Sequence, residues 1–71
     1  MAIDVTAPMS GKISEILCKV GDQVSCEDDL MILEALKMEN PICAPADGKI
    51  VDIKVAPGAM VESNQLLLII E

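Results

Sequence analysis

The sequence predicts an all-β fold, a flattened sandwich or barrel of short strands, and three observations carry that prediction. Residues 7–34, APMSGKISEILCKVGDQVSCEDDLMILE, lie without a gap over residues 44–71, APADGKIVDIKVAPGAMVESNQLLLIIE, at a constant offset of 37, and eleven of the 28 pairs are identical. The apolar stretches are short and are bounded by Gly, Pro, Asp and Asn, as strands are. Neither copy is large enough to bury its own apolar face, so the two must pack against each other, most simply about an approximate two-fold axis.

Each copy reads in the same order: an Ala-Pro turn, a Gly, a strand, a Gly loop, a short strand, then an apolar strand ending in Glu34 or Glu71. Thr6 and Cys43 are both followed by Ala-Pro, which favours extended backbone and a strand end. In the strand after Gly11 the apolar positions Ile13 and Ile16 break strict alternation, as do Ile50 and Ile53 after Gly48. A bulge or bend is expected at the same place in both copies.

The stretch between the copies has a different character. Glu34-Ala35-Leu36-Lys37-Met38-Glu39 is a run of strong helix formers. It is squeezed between the apolar segment Leu30–Leu33 and the break at Asn40-Pro41, and an isolated helix that short is marginal in water. The repeat makes residues 35–38 the link from the last strand of copy one to the first strand of copy two. Their two-fold mates are the chain ends, so Lys37 is expected exposed at one extremity, with Met1 and Glu71 together at the other. The link is then a tight hairpin made without the Gly or Asn such turns normally use. A conflict between local sequence and fold is where functional constraint is expected.

Composition bounds the function. Seventy-one residues make one small domain, 1–71, with little surplus stability. No aromatic residue is present, so the core must come from the 52% aliphatic and sulfur-bearing share. Twelve acids against five lysines and no arginine give a charge of −7, which argues against nucleic acid or an anionic membrane surface as partner. No apolar run is long enough for a membrane span, and MAIDVTAPM lacks a basic flank or signal-like core. Cys18, Cys26 and Cys43 form no CxxC pair and there is no histidine to complete a zinc site or act as general base. They are expected to be free thiols packed as small hydrophobes in a reducing compartment, the cytoplasm or a mitochondrial matrix.

The hexapeptide at 34–39, centred between the repeats, resembles the attachment motif of the biotinyl (biotin carboxyl carrier) domains of biotin-dependent carboxylases, decarboxylases and transcarboxylases. That family's pattern is Glu-Ala-Met-Lys-Met. Upstream it has Ala-Pro-Met-x-Gly, seen here as Ala7-Pro8-Met9-Ser10-Gly11, and a Val-x-x-Gly-Asp-x-Val loop, partly seen as Val20-Gly21-Asp22-Gln23-Val24. The resemblance covers essentially the whole chain. It implies two four-stranded antiparallel sheets with internal pseudo-two-fold symmetry, and the gapless repeat leaves no room for the "thumb" insertion some members carry. Carried over residue by residue, it makes Lys37 the covalent biotin attachment site. Leu36 and Met38 become its recognition neighbours, with Glu34 and Ala35 part of the hairpin. Leu36 stands where the family usually has methionine, a near-isosteric change.

An exposed lysine is almost wholly protonated at neutral pH and is a poor nucleophile unaided. The resemblance therefore implies a separate biotin protein ligase that supplies biotinyl-adenylate and removes the proton, making this chain substrate and carrier with no catalytic site of its own. Biotin carboxylase and carboxyltransferase subunits or domains follow as the further partners. Lys12, Lys19, Lys49 and Lys54 read as solvated, Glu27-Asp28-Asp29 as a wet loop, and Met9 and Met31 as core or turn packing. Glu34 and Glu39 either steer the ligase or keep the tip soluble. A lipoyl-carrier domain of a 2-oxoacid dehydrogenase complex shares the repeat and hairpin, but usually has Asp before the lysine and Ala or Val after it. An unmodified subunit-interaction module is the other rival. A Schiff-base enzyme would need a desolvated lysine in a pocket.

Overall fold

The computed structural model describes residues 2–71, and among them every regular element is a β-strand. β1 (Ile3–Thr6), β2 (Gly11–Ile16), β3 (Gln23–Val24) and β4 (Asp29–Ala35) form the first half; β5 (Met38–Cys43), β6 (Gly48–Ile53), β7 (Met60–Val61) and β8 (Leu66–Ile70) form the second. β2, β3, β6 and β7 obey the offset of 37 at both ends, and the connections 17–22 and 54–59 match in length with no inserted segment. Thr6 and Cys43 end their strands where the following Ala-Pro requires it.

The strands assemble into two four-stranded sheets, ordered β1-β8-β6-β3 and β5-β4-β2-β7. Adding the offset to one order generates the other, so each sheet is built from both halves of the chain and the approximate two-fold exchanges the sheets. The symmetry extends to single hydrogen bonds. Gly21 N–H donates to Ile50 O at 2.8 Å, and its mate Gly58 N–H donates to Ile13 O at 2.7 Å. Glu27 N–H donates to Ala44 O, and Asn64 N–H to Ala7 O, both at 2.8 Å. The expected irregularities are present in both copies, as register shifts between Ile13 and Glu15 against β4 and between Ile50 and Asp52 against β8.

Ile13, Leu30, Met31, Leu33, Ile50, Leu67, Leu68 and Ile70 are fully buried between the sheets. No polar or charged side chain among the described residues is buried. Driving force therefore comes from aliphatic burial, about 1.5–3 kcal/mol for each large side chain removed from water. Met31 is core, as expected, whereas Met9 is exposed at the turn after β1. Lys12, Lys19, Lys49 and Lys54 are all exposed; Lys54 pairs with Asp52 at 2.7 Å, and the hydrogen bond to that ammonium holds the Asp52 carboxyl below its usual range. That pair's contribution is present at neutral pH and is lost as pH falls through the lowered carboxylate range.

The cysteines do not all pack as the small buried hydrophobes expected of them. All three are free thiols, but only Cys18 is partly buried; Cys26 and Cys43 are exposed. Cys43 follows buried Ile42 along β5 and so takes the outward phase, and Cys26 lies in the turn after β3, where its N–H donates to Asp47 Oδ1 at 2.6 Å. Burial and then Asp22 push the Cys18 thiol up. Desolvation, and then the Asp29 carboxylate that accepts its S–H at 3.6 Å, push Cys43 up. The Glu27-Asp28-Asp29 run is exposed, and Asp28 Oδ2 closes the turn by accepting Ser25 N–H at 2.8 Å.

Candidate functional site

β4 and β5 form a hairpin in which Ala35 pairs with Met38, leaving Leu36 and Lys37 as a two-residue loop. The helix-forming run is thus divided into strand end, turn and strand start. Both loop residues have left-handed backbone, φ 54° at Leu36 and 65° at Lys37. This is the geometry of a type I′ turn, whose twist matches the flanking strands and which normally selects Asn-Gly. A left-handed L-residue costs about 1–2 kcal/mol. What holds the turn is its footing: Leu33 and Ile42 are buried in the core and Ala35 is nearly so. The start of β1 and the end of β8 occupy the two-fold equivalent position, with Ile3 paired to Ile70 as Asn40 is to Leu33. Glu71 bonds in both directions to Lys49 at 2.8 Å, while Met1 lies outside the described residues.

Because that strain belongs to the turn, Leu36→Asn is expected to raise stability by about 1 kcal/mol, since asparagine tolerates the left-handed region. Chemical denaturation of both proteins checks it. A lowered midpoint would show that the turn is not under strain at Leu36.

The turn displays its side chains. Leu36 is 91% and Met38 64% exposed, and Lys37 is exposed between them on no strand. Among the described residues no carboxylate lies within 4.0 Å of the Lys37 ammonium. A row of outward residues crosses the sheet just below the turn: Met60 on β7 pairs with Lys12 on β2, Lys12 with Glu34 on β4, and Glu34 with Glu39 on β5. Glu34 and Glu39 place like charges directly opposite, an unfavourable arrangement in a sheet. Lys12 on the other side of Glu34, and the Ser14 hydroxyl donating to Glu39 Oε2 at 3.3 Å, offset it.

Gly11 permits the close approach of β2 to this hairpin. A Cβ there would stand 2.5 Å from Glu34 O and 3.2 Å from the Ala35 Cβ. The sequence-derived residues Glu34, Ala35, Leu36, Lys37 and Met38 are thus brought together on one hairpin. Lys12 and Met60 join them only through strand pairing, and no local signal marked either for this neighbourhood. The arrangement offers an exposed primary amine on a short stalk, where another protein can reach it. Among the described residues no three His, Cys, Asp or Glu side chains are grouped to hold a metal ion.

Residues 3–70 match the family described as "Biotin-requiring enzyme". The chain is 47% identical over 64 residues to a biotin carboxyl carrier protein of Streptococcus mutans, covering 90% of this chain and 49% of that protein. It is 33% identical over 70 residues to the "Biotinylated protein TB7.3 homolog" of Mycobacterium leprae, covering 99% of each. In three dimensions it is similar to part of the Kluyveromyces lactis urea carboxylase, with a TM-score of 0.94 and 31% identity over 100% of this chain and 6% of that one. The chain thus spans about half of the Streptococcus protein and a small part of the urea carboxylase.

Proposed function

Since the chain belongs to the family of biotin-requiring enzymes, we propose that it is a biotin carboxyl carrier domain, covalently biotinylated on Lys37. The observation that carries this reading is the hairpin itself: an exposed lysine at the second position of a strained two-residue turn, with Met38 after it and an apolar residue before it. The amine fits covalent attachment by an amide, because it is sterically open and its stalk is fixed by the core beneath. Biotin, when bound, supplies a ureido nitrogen that takes up a carboxyl group at one active site and releases it at another.

This chain's residues do the remaining work. Lys37 supplies the amide nitrogen and loses its charge, displacing AMP from biotinyl-adenylate, and a biotin protein ligase removes the proton, since among the described residues no base stands beside it. Leu36 and Met38 give that ligase an apolar rim to grip, and Glu34 with Glu39 gives it an acidic flank. The rigid sheets hold the tether, raising the arm's effective concentration at the active sites of carboxylase and carboxyltransferase partners. Among the described residues no helix is long and apolar enough to cross a membrane; the cytoplasm or a mitochondrial matrix, where such partners work, is the proposed setting.

Incubation with a biotin ligase, ATP and biotin is expected to add the mass of one biotinyl group, mapped by peptide analysis to Lys37. Lipoylation without biotinylation would move the chain to the lipoyl carriers. Modification by neither ligase would favour an interaction module.

A further inference from the structure

A shallow, open depression of about 550 Å³ lies against the base of the hairpin, between it and the β2/β7 edge. Ser10, Lys12, Leu36, Lys37 and Met60 are among the residues that line it. We propose that this depression is the resting seat of the biotin carried on Lys37, an inference that rests on the attachment reading above.

The repeat supplies an internal comparison. The depression's residues have mates at the other end of the molecule: Gly11 and Gly48, Lys12 and Lys49, and Glu34 and Glu71 are identical pairs. Two pairs differ. Ser10 is Asp47 in the mate and Met60 is Gln23, so the lysine-bearing end has lost a carboxylate and gained an apolar side chain. Met60 is 72% exposed on a two-residue edge strand, where it contributes little to the core. An exposed methionine beside an exposed leucine has area to gain by covering an apolar ring and chain, and a thioether adapts to irregular shapes.

The polar groups suit the same ligand. Lys12 Nζ and Ser10 Oγ can donate to a ureido carbonyl oxygen, and the Glu34 carboxylate can accept a ureido N–H. Lys12 lies between its cross-strand neighbours Glu34 and Met60. The seat is shallow, so occupancy is weak and reversible, as it must be for an arm that leaves to visit active sites. It shelters the ring from solvent between visits and shortens the search from a defined starting position.

Methyl and amide NMR of the chain in three forms tests the seat: unmodified, acetylated at Lys37, and biotinylated. Mass and peptide mapping come first, so an error in the attachment site appears as failed or misplaced labelling and is separated from failure of the seat. Acetylation reproduces the loss of charge without the ring. The expected result is a shift of the Met60 methyl and the Ser10–Lys12 amides in the biotinylated form beyond that in the acetylated form, with Overhauser contacts from ring protons to the Met60 methyl. Met60→Gln, which installs the mate's residue at an exposed position, is expected to abolish the Ser10–Lys12 shifts. Correctly biotinylated protein whose Met60 methyl coincides with that of the acetylated form, without those contacts, would overturn the proposal. So would Met60→Gln with its Ser10–Lys12 shifts retained.

Discussion

Lys37→Arg is expected to abolish ligase-dependent biotinylation completely while leaving the thermal midpoint almost unchanged. The guanidinium keeps the positive charge but stays protonated, so it cannot act as the nucleophile in amide formation. The fold should not respond, because residue 37 is exposed, touches no carboxylate among the described residues and is in the same backbone strain with either side chain. Substitutions of that kind fall within about 0.5 kcal/mol. Intact mass after incubation with ligase, ATP and biotin reads the first effect, and a thermal melt reads the second. Four other exposed lysines act as internal controls. Labelling of the variant at Lys12, Lys19, Lys49 or Lys54 would show that position on the hairpin is not what the ligase selects.

The second large effect is on the core. Leu33→Ala removes a fully buried side chain that pairs with Ile13 on β2 and stands two residues from the end of β4. Truncation of a buried leucine costs about 2–5 kcal/mol. A domain of this length holds roughly 4–11 kcal/mol in all, so the variant should lose a large share of its stability and its midpoint should fall by more than about 10 °C. Urea denaturation followed by circular dichroism would measure it. Leu36→Ala, three residues along and 91% exposed, is the matched control and should be nearly silent. A small loss at Leu33 would mean that the aliphatic core repacks around the cavity. Because the strained turn is held by Leu33 and Ile42 beneath it, biotinylation of Leu33→Ala should decline as the protein unfolds.

Much of this architecture was legible because the chain states it twice. A gapless offset of 37 specified matched strands in the two copies, the bulges after Ile13 and Ile50, and a hairpin where the copies join. The hairpin lysine was legible for a related reason: a run of helix formers placed where only a turn fits is a local contradiction. The cysteines were less legible. Hydrophobicity predicts burial, but the phase of a strand and the place of a turn decide which face a small side chain takes, and Cys43 and Cys26 fell outward.

The sequence by itself determined the two-copy plan, the position of the link between copies and the identity of the residue presented there. Those properties follow from order along the chain and from the apolar pattern within each copy. Only the tertiary structure decided that each sheet takes strands from both copies, that Leu36 and Lys37 share a left-handed turn, and that Met60 and Lys12 lie beside them. The physical reason is that strand pairing joins residues far apart in sequence. Met60 reaches the hairpin through two cross-strand pairs, by way of β2 and β4, and nothing in its own neighbourhood in the chain records that.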